Sequence, residues 1–171
     1  MNKDALKLAW TISIFVGVLC MLYNWAGNPL TKDGSTVGYC FIGFACTVAL
    51  GMEPKKFPHY FISTLAGWVW AVIMGWWLGL WAGLIGVLPG MLIGGIIFGL
   101  VLCYLHIGVF ANTVLCFTPL VFVAIATCFD CGGPFFTNPH TVQAMLSVLF
   151  GVICACLVLP LNSVWSKKKA E

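Results

Sequence analysis

Apolar residues along this chain come in long unbroken runs, not in the 3.6- or 2-residue alternation that marks a helix or strand with one wet face. A helix needs roughly 20 apolar residues to cross about 30 Å of hydrocarbon. Measured against that length, the runs predict six spanning helices, over about 5–27, 36–53, 57–80, 83–105, 109–130 and 140–162. The second is the shortest and holds Gly38, Gly43 and Gly51, so it is expected to be tilted, broken or short of a full crossing. Only 80–82 separates the third run from the fourth, which calls for a tight reversal at Gly79 and Gly83. The N-terminal run has no small-x-small cleavage pattern before the polar residues that follow it, so it reads as a retained span.

The runs are related to one another. Residues 41–65 return 81 positions later, without a gap, as 122–146: Phe41, Ala45, Gly51, Pro58, His59 and Leu65 meet Phe122, Ala126, Gly132, Pro139, His140 and Leu146. Tyr23 and Gly27 meet Tyr104 and Gly108 at the same offset. Three spans in each half turn the second copy over, because an odd number of crossings reverses the chain's direction. The expected fold class is therefore an all-α polytopic membrane protein, six transmembrane helices arranged as two inverted three-helix repeats. It forms a single integral domain over 1–171, with repeat A at about 5–80, repeat B at about 83–162 and a short tail at 163–171.

Composition agrees, at 61% hydrophobic and 8% charged, far outside the balance of a chain that must cover its core with polar surface. The net charge of +3 rests on eight lysines and no arginine, too little for nucleic acid. Six spans put both termini on one side together with Lys3, Lys7, Lys55, Lys56, Lys167, Lys168 and Lys169, leaving Lys32 alone on the other. That asymmetry predicts cytoplasmic termini. Trp10 and Trp165 then fall near the inner boundary, and Trp25, Trp76, Trp77 and Trp81 near the outer one.

The stretch 38–75, with its Phe41-Ile42-Gly43-Phe44-Ala45 core and later Trp68-Val69-Trp70-Ala71-Val72, resembles the YcdZ-like bacterial inner-membrane proteins. The run from Thr118-Pro119 to Cys128-Phe129, followed by Leu149-Phe150-Gly151, is similar to that family's second conserved region. The resemblance implies a small multispanning inner-membrane protein of unknown function and carries over no catalytic residues.

Candidate chemistry is sparse. His59 and His140 each follow a proline at a predicted helix start, where proline is tolerated. They read either as interfacial residues bordering their helices or, if 50–59 and 131–140 dip into the membrane from opposite faces, as partners for a solute near the midplane. His106 has Trp25 at its matching position and reads as interfacial. Asp130 reads as a solvated boundary charge or a relay group beside His140. Cys128 and Cys131 form a Cys-x-x-Cys on the predicted outer side, either inert or exchanging disulfides. Gly86, Gly90 and Gly94, with Gly95 and Gly99, form a smooth stripe suited to helix packing or self-association. Asn112, Thr113 and Thr64 are further pore-lining candidates.

No nucleophile, base and orienting acid fall together and no phosphate loop occurs, so no enzyme, cofactor or metal site is expected. The expected function is a channel or secondary transporter for a small polar or weakly ionised solute in the lipid bilayer, working as a homo-oligomer. A non-transporting scaffold or regulatory subunit and a membrane thiol oxidoreductase are the two alternatives.

Overall fold

A computed structural model describes residues 3–15, 17, 37–133 and 138–167, and every regular element among them is helical. The helices are α1 (Lys3–Ile14), α2 (Val37–Ala49), α3 (Phe57–Ile85), α4 (Val87–Cys103), α5 (Thr118–Asp130) and α6 (Pro139–Lys167). A 3-10 turn, Pro54–Lys56, leads into α3, and a π-helical segment, Tyr104–Val109, continues α4. Trp25 and Lys32 lie outside the described residues, as do residue 16 and the C-terminal part of the predicted first span, 18–27, and the side chain of Trp165.

Three helical stretches are long and apolar enough to cross a membrane: Pro54–Ile85, Val87–Val109 and Pro139–Val164. Helices α2 and α5 are also apolar but have 13 residues each, or about 20 Å of axial rise. The first two long stretches are only 11% and 22% buried over their most apolar windows, against 61% for the third. Leu84, Leu88, Leu92, Leu100 and Ile107 all lie open. So much exposed apolar side chain on adjoining helices is what hydrocarbon solvates and water does not.

Contacts divide the chain into two compact units, Met1–Pro58 with Val142–Glu171 and His59–Thr141. In the first, α2 lies on α6 with glycine at both touching points: a Cβ on Gly43 would meet the Val148 carbonyl, and one on Gly151 the carbonyl of Cys40. Farther along, Phe44, Val48 and Met52 pack with Cys154, Ala155 and Val158, joined by Leu8, Ile12 and Phe15 of α1 and its continuation. Helices α2 and α6 therefore run the same way.

In the second unit α3 lies on α5 in a like manner. The Tyr60 ring stacks 4.6 Å from that of Phe117, and one to two turns on Gly67 admits the Val121 backbone and the Ala124 methyl. These two helices also run the same way. The reversal between α3 and α4 falls at Gly86, whose φ of +94° suits glycine. Gly79 and Gly83, expected at the turn, instead lie within α3, which continues to Ile85. Of the glycine stripe, Gly90 and Gly94 are packed: a Cβ on Gly90 would come within 2.6 Å of the Ala82 nitrogen, and Gly94 faces the Trp81 ring. The Trp77 indole donates to the Gly94 carbonyl at 2.9 Å. Gly95 and Gly99 meet nothing within 4 Å. Pro89 occupies the first turn of α4, where it replaces an N–H that has no partner within the helix.

Helices α2 and α5 end in the same motif. After α2, the N–H groups of Leu50, Gly51 and Met52 donate to Cys46, Val48 and Thr47. After α5, those of Cys131, Gly132 and Gly133 donate to Thr127, Phe129 and Cys128. Each is a Schellman close, with a left-handed glycine and a reach-back bond to the third residue from the helix end. Gly51 and Met52 have φ of +100° and +43°, and Gly132 and Gly133 have +89° and +124°.

Candidate functional site

In apolar helices the informative groups are buried polar ones, and the first question is where their hydrogen bonds go. Three return to their own helix. The hydroxyls of Thr47, Thr64 and Ser147 each donate at 2.9 Å to the carbonyl four residues back, Gly43, Tyr60 and Gln143. Thr64, a pore-lining candidate from sequence, is thus buried with its proton already used.

Ser63 and His106 do more. Ser63 donates to the Val114 carbonyl at 3.1 Å and accepts from the Phe117 N–H at 3.4 Å, holding the 110–117 connection to α3. His106, expected at an interface, is instead fully buried on the π-helical segment. Its Nε2 accepts from the Trp70 indole at 2.9 Å, and its Nδ1 lies 2.7 Å from the Leu115 carbonyl. An indole N–H only donates, so Nε2 is the bare nitrogen and Nδ1 carries the proton to Leu115. This neutral tautomer ties α3, the π turn and the loop together.

Asn112 and Thr113 are exposed in that loop. Thr113 donates to Phe110 at 2.9 Å and accepts from the Leu115 N–H at 3.2 Å, so it shapes the turn. The predicted fifth span therefore starts as a helix only at Thr118, with Pro119 in its first turn.

Around the second Pro-His, Asn138 is the N-cap of α6: its Oδ1 accepts from the His140 N–H at 3.0 Å while its Nδ2 donates to the Cys131 carbonyl at 3.0 Å. Thr141 donates to Gly133 at 3.0 Å. The end of α5 and the start of α6 are stapled by side chains, and the His140 ring is half-buried beside them. Asp130 is exposed as the last residue of α5. At the first Pro-His, Lys56 pairs with Glu53 at 2.7 Å and both are about half exposed, marking 53–56 as surface of its unit.

Cys128 and Cys131 are both buried at the C-terminal end of α5, and no disulfide joins described cysteines. Reactive Cys-x-x-Cys pairs use electropositive, partly exposed surroundings, whereas a helix C-terminus presents carbonyl oxygens. A membrane-impermeant maleimide is expected to leave both unlabelled in intact cells for as long as the protein stays folded, and to label them after denaturation. Rapid labelling of the native protein would revive the thiol-exchange alternative.

What remains open is small. The Nδ1 of His59 in the second unit is buried with no partner, as is the Trp81 indole N–H. In the first unit, Gln143 is 1% exposed, and neither its Nε2 nor its Oε1 has a partner. No group of three or more histidine, cysteine or acidic side chains suited to a metal occurs among the described residues. Sequence reasoning singled out His59, passed over Gln143, and did not foresee that Trp70 and His106 pair. Gln143 carried a usable signal, being the chain's single glutamine and lying inside the last apolar run.

The helices define an all-helical protein with three elements long and apolar enough to cross a membrane. No protein family, curated protein or solved structure matches the chain.

Proposed function

We propose that the protein is a six-span inner-membrane channel or secondary transporter for a small polar solute, built from two inverted three-helix repeats. The repeat draws support from more than residue identities. The three bonds that close α2 reappear at α5 with every donor and acceptor shifted by 81, and the left-handed pair 51–52 reappears at 132–133. Helix contacts follow the same shift: the approach of Gly43 to Val148 becomes that of Ala124 to Gly67. The exchange turns the unit of α1, α2 and α6 into that of α4, α5 and α3. The cuts between units, 58/59 and 141/142, lie within two residues of each other after the shift. Same-direction packing of α2 with α6 and of α3 with α5 is what six alternating spans require.

The solute path rests on one observation: a buried hydrogen-bonding atom left without a partner in a helix that is otherwise apolar, the Nδ1 of His59. Such an atom costs several kcal/mol, on the order of 2–7, unless something polar visits it. Self-association through the open strip at Gly95 and Gly99 belongs to the same reading.

Purified protein in liposomes is expected to raise the flux of at least one small neutral solute among ammonia, urea, glycerol and short-chain acids. His59→Ala is expected to change that flux by about tenfold, the scale of one hydrogen bond at about 1.4 kcal/mol. Absence of flux for every solute would overturn the reading and leave a scaffold subunit in its place.

A further inference from the structure

Gln143 is the fifth residue of α6, about 6 Å along the axis from Pro139, so it sits just inside the mouth of the span and well short of its middle. One turn on, Ser147 is already committed, donating to the backbone carbonyl of Gln143 itself. One and two turns deeper on the same line of α6 come Ser147 and Gly151, and at Gly151 the backbone of α2 crosses so closely that no side chain fits. The carboxamide is thus a buried planar group with two N–H donors and a carbonyl acceptor, none of them used, above a tightly closed helix crossing.

We propose that the Gln143 carboxamide is the recognition group of a small-solute site, and that its ligand is a neutral planar molecule with donor and acceptor side by side, of the urea and primary-amide class. The proposal rests on the solute-path reading and supplies its substrate class. A carboxamide and an amide solute pair face to face, each giving one N–H and taking one, so a single partner satisfies both open functions at once. An anion answers only the N–H groups and a cation only the carbonyl, each leaving the other half unpaired in an apolar setting. A site built on paired hydrogen bonds rejects an analogue that lacks one of them far more strongly than an apolar pocket rejects a size change.

The test compares wild type with Gln143→Met and Gln143→Leu in liposomes, measuring urea, acetamide, glycerol and water flux, together with thermal midpoints in solute-free detergent. Urea and acetamide flux are expected to fall at least about tenfold in both variants while glycerol and water flux hold. The midpoints are expected to stay level or rise, since each variant removes an unpaired amide. Unchanged amide flux in folded variants would overturn the Gln143 site and leave the path intact. Absence of flux for every solute in wild type would instead overturn the path. In that event the midpoints still decide: a clear fall, or failure of both variants to fold, would mean the amide has a partner in the native protein, and would overturn the site on its own.

Discussion

Replacing Gly43, Gly67 or Gly151 with valine is expected to abolish folded protein, while valine at Gly95 or Gly99 leaves folding intact. The difference lies in what a side chain would strike. At Gly67 even a Cβ would lie 2.7 Å from the Ala124 methyl and 2.9 Å from the Val121 Cα; at Gly151 it would lie 2.8 Å from the Phe44 nitrogen. The obstacles are mostly backbone atoms of a partner helix, which move only if the helices part. Overpacking that side chains absorb costs about 1–3 kcal/mol. Here the relief must come from separating α2 from α6 or α3 from α5, and the loss is expected to exceed about 3 kcal/mol, a large share of a stability of roughly 5–15 kcal/mol. The better helix propensity of a non-glycine residue returns only about 1 kcal/mol or less. Size-exclusion profiles and thermal midpoints in mild detergent read the outcome. A monodisperse Gly43→Val or Gly67→Val protein with a wild-type midpoint would refute the close helix pairs.

These glycines show where the sequence was legible and where it was not. The apolar runs could be read directly, because run length is a local property of the chain, and both long helices after a Pro-His begin within a residue or two of where they were expected. The partners of each helix could not be read. Gly43 and Gly67 look no different in sequence from Gly79 or Gly83, yet the former admit a neighbouring backbone and the latter face nothing within 4 Å. The α3–α4 reversal was misplaced for the same reason: Gly79, Gly83 and Gly86 are equivalent candidates until one of them takes a positive φ. His106 was read as interfacial because its partners, Trp70 and the Leu115 carbonyl, are 36 residues before it and nine after it, and no period links them. Gln143 is the opposite case. It needed no partner to be noticed, only the question of why an amide stands in an apolar run.

The second large effect is expected at His106. Substituting leucine removes an acceptor from the Trp70 indole and a donor from the Leu115 carbonyl, and leaves both part-buried. A fully buried orphan costs about 1–3 kcal/mol and a part-buried one lies toward the lower end, so His106→Leu is expected to lose about 2–3 kcal/mol. Trp70→Phe removes one donor only and is expected to cost less, although the ring also packs edge-on at 5.7 Å against Phe98. The double variant is expected to cost less than the sum, with a coupling of about 1 kcal/mol or more, because the same hydrogen bond is removed by both changes. His106→Gln, which carries an acceptor and a donor on one short arm, is expected to recover part of the loss. A direct check needs no mutation: nitrogen-15 spectra of labelled imidazole distinguish the two neutral tautomers, and the tie between α3, the π turn and the loop requires the proton on Nδ1. A proton on Nε2, or a His106→Leu protein within about 1 kcal/mol of wild type, would break that account, since Trp70 would then have no acceptor to lose.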